Sequence, residues 1–172
     1  MRITEPTTML SDYALAALCL YFAAVLWSGS RQAGGRRVGL WIASFLVTAL
    51  AALAGGTAHG FRWSLGDRWD SVWTVAVWSI VASSGLLITA GVRSVLRSEA
   101  RDATDRSEGI RWLERGIVVT LVGLAALVAK LSIHEHFNQN DLYHLIQMGG
   151  LYCLHRGAIF LHNLVRRNAS TD

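Results

Sequence analysis

The sequence predicts an all-α fold: a transmembrane bundle of about five helices, forming a single domain over residues 1–172. Three observations predict it. Of 172 residues, 52% are hydrophobic and only 16% are charged. The apolar residues are gathered into five runs, each close to the ~20 residues that carry a helix across a bilayer core. The lone proline is Pro6, so no helix interior is broken, and no run shows the two-residue alternation of a strand. In lipid the backbone must satisfy its hydrogen bonds within the chain, and helices do so directly.

The first span covers about 9–29. It is read as a retained span, because no A-x-A-like cleavage site and soluble domain follow it. The second covers about 38–58 and the third about 71–92. The connection between them, Gly60 to Asp70, is short, which predicts antiparallel neighbours. Arg93 to Arg115 mixes Arg with Asp and Glu and reads as a solvated loop or a helix extension. The fourth span covers about 116–133 and the fifth about 143–165. Cys19 and Cys153 lie inside apolar runs and read as small packing residues rather than a disulfide.

Charge predicts the orientation. Arg31, Arg36 and Arg37 follow the first span, six arginines lie between Arg93 and Arg115, and Arg166 and Arg167 close the chain. The opposite side holds only Arg2, Arg62, Arg68 and Lys130. Arginine-rich segments stay inside, so the N-terminus is expected outside and the C-terminus in the cytoplasm, as five spans require. The net charge of +4 is then a topogenic signal, and nucleic acid is excluded as a partner because no basic patch is interleaved with base-stacking aromatics. Trp27, Trp41, Trp69, Trp73 and Trp112 lie near span ends, where interfacial tryptophans sit. The Ala- and Arg-rich composition points to a bacterial cytoplasmic membrane. Five helices make a small bundle, so a homo-oligomer is a further expectation.

This topology gathers His59, Asp70, His134, His136, Asn140, Asp141 and His144 at the outer end. Ionisable groups at membrane depth are costly and commonly functional. On the fifth helix, Asn140 and Asp141 stand four and three residues before His144, on one face. Gly55-Gly56 and Gly149-Gly150 would let backbones approach closely near the histidines. Neutral imidazoles with an open position suit zinc, whose bound water becomes hydroxide near neutral pH. A carboxylate such as Asp70 would take a proton from that water or orient it. Against this stands a plainer reading, in which each histidine is a hydrogen-bonded interface residue and Asp67 and Asp70 pair with Arg62 and Arg68.

His59 at the end of the second span, Asp70 eleven residues later, and the last-helix run Asn140-Asp141-Leu142-Tyr143-His144 together resemble the CREST superfamily. Its members include alkaline ceramidases and progestin and adipoQ receptors. The resemblance implies an intramembrane zinc and hydrolysis of a lipid amide or ester. It makes His59 and His144 metal ligands, with His136 or Asp141 as the third, Asp70 the residue acting on water, and Thr57 a donor to the developing oxyanion. The chain departs from the pattern at two positions. Asn140 stands where the family has the first histidine of H-x-x-x-H, and Gly55 where it has a serine. The leading expectation is therefore a zinc-dependent membrane hydrolase with a membrane lipid as substrate. The alternatives are a non-catalytic lipid- or metal-binding protein of the same shape, favoured by Asn140 and Gly55, and a haem-binding subunit using His59 with His144, or His155.

Overall fold

The computed structural model describes residues 3–31, 38–97, 103–134 and 137–169. They form five long helices and one short one: α1 (Pro6–Arg31), α2 (Gly39–Gly60), α3 (Arg62–Leu65), α4 (Trp69–Arg97), α5 (Ala103–Val128) and α6 (Gln139–Ala169). A single 3-10 turn, Gly66–Arg68, joins α3 to α4. α1, α4 and α6 contain the first, third and fifth expected runs and α2 all but the first residue of the second, whereas the fourth, 116–133, outruns α5, which ends at Val128. Of the two readings of Arg93 to Arg115, helix extension is the one observed: α4 continues to Arg97 and α5 is helical from Ala103.

The helix ends follow from local chemistry. Pro6 opens α1 at the first helical position, where its missing N–H removes nothing. Asn138 caps α6: its Oδ1 accepts the N–H groups of Asn140 (2.8 Å) and Asp141 (3.3 Å), and Asp141 Oδ2 accepts the N–H of Asn138 (2.9 Å). This is a reciprocal capping box. Asp141→Ala is expected to cost about 0.5–2 kcal/mol of stability, read from thermal unfolding in detergent. α5 ends with Lys130 in the left-handed region (φ 53°), its N–H bonded to Leu127 O and that of Leu131 to Ala126 O.

α1, α2, α4 and α6 pack in a closed ring, α1 on α2, α2 on α4, α4 lightly on α6, and α6 on α1, with α5 laid against α6. The antiparallel pairing of α2 and α4 is the one their short connection predicts. Small residues set the spacing. A Cβ on Gly56 would meet Tyr13 Cε1 at 2.8 Å, so α1 and α2 nearly touch there. Gly109, Gly116 and Gly123 of α5 recur every seven residues, as do Gly150 and Gly157 of α6. A Cβ on Gly116 would sit 2.7 Å from Leu154 Cγ, and one on Gly150 2.6 Å from Thr120 Oγ1. The core between α1, α2 and α6 holds Phe22, Phe45, Leu151 and Leu161, with His155 stacked on Phe22 at 4.3 Å. Cys19 and Cys153 are free thiols. Trp41 departs from the interfacial expectation. It is 2% exposed, packs on Phe45 and donates its indole N–H to Ser94 at 2.9 Å.

Three segments are long and apolar enough to cross a membrane: Pro6–Ser30, Gly39–Gly60 and Arg62–Leu96. α5 and α6 do not reach that standard, because Arg and Glu crowd the first half of α5 and polar residues recur through α6. The second half of α5 nevertheless turns Ile117, Val118, Leu121, Val122 and Val128 outward. α4 exposes Val75, Trp78, Val81, Ile88 and Val92 in the same way. An apolar surface that continuous is the kind a lipid solvent covers.

Candidate functional site

The ring closes around a cavity of about 240 Å³ that reaches every one of its helices and the end of α5. One wall is a stripe on α4, Trp73, Ala76, Val77, Ile80, Ser83, Ser84 and Leu87, spaced by threes and fours along about 21 Å of helix. Ala51, Ala52, Leu15 and Leu127 complete the apolar lining. Ser83 and Ser84 both donate to Ile80 O, so they ask nothing of a ligand.

The polar end is formed by Asp12, His59, Asn140, His144 and Gln147. Asp12 comes from α1, where it interrupts an apolar run, and it is 4% exposed. Its Oδ1 lies 3.3 Å from His144 Nε2. Its Oδ2 is buried with no hydrogen-bond partner among the described residues, and so is Gln147 Oε1. A Cβ on Gly55 would stand 3.3 Å from that Oδ2, so the glycine leaves the carboxylate its room.

Behind the ring of His144, Ser11 Oγ lies 2.9 Å from Nδ1. Ser11 Oγ also lies 3.0 Å from Thr8 O and 3.3 Å from Asp141 Oδ1. Whichever ring nitrogen carries the proton, Ser11 and Asp12 hold the His144 imidazole between them. A carboxylate oxygen and a ring nitrogen at that distance attract only with a proton between them. Asp12 and His144 thus form a proton-sharing pair, with Ser11 fixing the imidazole and the capping carboxylate of Asp141 fixing Ser11.

His59 lies across the cavity, its Nδ1 2.9 Å from Glu5 Oε2 and its ring edge-on to Trp73. Trp69 stacks on Trp73 and donates to Ala58 O, while Arg62 lies over Trp69, so an aromatic cover closes this end of α4. The amide of Thr4 donates to Gly60 O, fastening the start of the chain beside it.

The structure brings together part of the sequence-derived set. His59 and His144 face one cavity. Asp141 is fully buried beside His144 but spends its oxygens on the α6 cap and Ser11. Thr57 is off the cavity wall, with its hydroxyl hydrogen-bonded to Leu53 O at 2.7 Å and to Tyr13 Oη at 3.1 Å. Asp70 is exposed at the start of α4 and does not line the cavity. It shares the helical phase of Val77 but sits about 10 Å nearer the helix end, beyond the enclosed space. His136 lies outside the described residues. Among the described residues no three His, Cys, Asp or Glu side chains converge to hold a metal ion. As placed, His59 is held by Glu5, His144 by Ser11 and Asp12, and Asp141 by the cap, so these residues do not fit a three-ligand zinc centre. Sequence reasoning passed over Ser11 and Asp12. The signal was an ionisable residue just inside the first span.

A family model matches residues 7–105 and 103–163, and its description is a family of unknown function, DUF6962. The chain belongs to the DUF6962 family. In this DUF6962 protein the matched residues run from the start of α1 to the deep part of α6, so they include Ser11, Asp12, His59 and His144. No curated protein and no solved structure matches the chain.

Proposed function

We propose that this chain is an integral membrane protein that binds an amphiphile in the ring of α1, α2, α4 and α6, polar head on the Asp12–His144 pair and tail along α4. The observation that carries this reading is the pair of unpartnered buried acceptors, Asp12 Oδ2 and Gln147 Oε1, at one end of an otherwise apolar cavity. Buried acceptors left without partners are costly, and a ligand that brings hydroxyl, amide or ammonium donors repays them. The volume is below the ~300–1,000 Å³ that encloses a whole drug-sized ligand. It admits a headgroup and the first part of one chain. The rest leaves through the light contact between α4 and α6, which opens sideways toward lipid. With the arginine-rich segments in the cytoplasm, the polar end faces the outer leaflet.

A second reading, hydrolysis of a lipid amide or ester, is favoured by one specific observation: the Asp12 carboxylate 3.3 Å from His144 Nε2 at the cavity wall. Such a pair can deprotonate a water and return the proton to a leaving amine or alcohol. Because the described candidates, His59, His144 and Asp141, are held by other partners, no step is routed through a metal.

Native mass spectrometry of protein extracted in mild detergent tests the binding reading. One lipid per chain is expected in the wild type, and its loss is expected in Ala76→Phe, which fills the cavity. An empty wild type, or equal lipid in both proteins, would overturn it. Incubating the loaded protein with a ceramide and with an acyl ester, then counting released fatty acid, separates hydrolysis from binding alone.

A further inference from the structure

A second polar cluster lies away from the cavity, on the outer face of the α5–α6 pair. Trp112 of α5 carries two guanidiniums: Arg115 Cζ stands 5.0 Å from its ring and Arg156 Cζ of α6 5.7 Å. Arg156 also lies 5.6 Å from the Phe160 ring, and its Nε is buried with no hydrogen-bond partner among the described residues. The neighbouring acid is already taken. Glu108 gives one oxygen to Arg111 at 2.7 Å and the other to the Trp112 indole N–H at 3.1 Å. The Arg111 hydrogen bond, with smaller contributions from Trp112 and the Arg115 charge, holds the Glu108 carboxyl below its ordinary range, so one ionised carboxylate serves both Arg111 and Arg115. Two cations on one ring repel each other, and an indole face compensates only in part.

The height of the cluster identifies what compensates. Arg115 comes two residues before Ile117, where the outward apolar surface of α5 begins. The guanidiniums therefore stand at the edge of the apolar band, on the arginine-rich side, where phospholipid phosphates lie. We propose that Arg115 and Arg156 clamp the phosphate of an anionic phospholipid, with Trp112 and Phe160 packed against its glycerol and upper acyl carbons. Guanidinium forks match phosphate oxygens, and no acceptor among the described residues holds the Arg156 Nε. This site is independent of the cavity and does not depend on what the cavity holds.

The test uses the full-length protein in detergent, titrated with phosphatidylglycerol, phosphatidylcholine or inorganic phosphate, and read by native mass spectrometry and melting temperature. Phosphatidylglycerol is expected to bind and stabilise in preference to phosphatidylcholine. Arg115→Gln and Arg156→Gln should each weaken that preference about fivefold. Arg115 is exposed, so its variant folds whatever becomes of Arg156→Gln. Equal binding of the two lipids, or a preference unchanged in Arg115→Gln, would overturn the proposal. Stabilisation by millimolar inorganic phosphate equal to that by phosphatidylglycerol would assign the cluster to a soluble phosphate compound and overturn the lipid source.

Discussion

Asp12→Asn is expected to empty the cavity while leaving the fold in place. The asparagine side chain, which carries both a donor and an acceptor, can still hydrogen-bond His144 Nε2, so the imidazole stays held between α1 and α6 by Ser11 and residue 12. What disappears is the carboxylate whose second oxygen faces the cavity without a partner. A hydrogen bond to a charged group is worth about 1.5–3 kcal/mol, so affinity for a donor-bearing head should fall roughly 10- to 150-fold. The melting temperature of the ligand-free protein should move little. The check is lipid titration of wild type and variant side by side. Asp12→Leu is the contrasting change. It strands His144 Nε2 in a buried site and should destabilise the bundle as well as abolish binding. If hydrolysis occurs, it should be lost in both, because neither can share a proton with His144.

Gly116→Leu is expected to detach α5. Its Cβ would fall 2.7 Å from Leu154 Cγ and 3.0 Å from the Leu154 backbone nitrogen. The side chain can turn away, but the backbone yields only if the helices separate. Overpacking of this kind costs about 1–3 kcal/mol for a methylene or two, and a full leucine should exceed that. α5 makes its main packing against α6, so little else would hold it. The expected result is a lower melting temperature and early proteolysis between α4 and α5. Gly149→Ala is the control: its new Cβ meets only Val119 at 3.8 Å, an ordinary contact, and alanine favours the helix. Unfolding of both variants alike would show that the seven-residue glycine period does not set the α5–α6 distance.

The helices were legible because apolar runs near bilayer length leave few alternatives. The gathering of His59 and His144 at one end followed from the topology alone, since α2 ends and α6 begins on the same side. The partners of those histidines were harder to read. Asp12 is one acid in an apolar run, and only the packing of α1 against α6, 132 residues apart in sequence, sets it against His144. The roles assigned to Asp141 and Thr57 came from the family resemblance, which cannot show where a side chain's hydrogen bonds are already spent. The capping box of Asn138 and Asp141 was not read from the sequence, where Asp141 was grouped with His144 instead, although an Asn followed three residues later by an acid can open a helix in this way. Trp41 lies near a span end by count, yet faces Phe45 and Ser94, because interfacial position and helix face are separate properties.

The most direct test of the central claim is photo-crosslinking in membranes with an N-acyl lipid bearing a diazirine on its acyl chain, mapped by peptide mass spectrometry. An amphiphile held in the ring should label Ala76 and Leu87 of the α4 stripe, together with Leu127, and the labelling should fall in Asp12→Asn. Labelling confined to Trp78, Val81 and Ile88, the outward face of the same helix, and unchanged in Asp12→Asn, would contradict it, because the lipid would then only surround the protein.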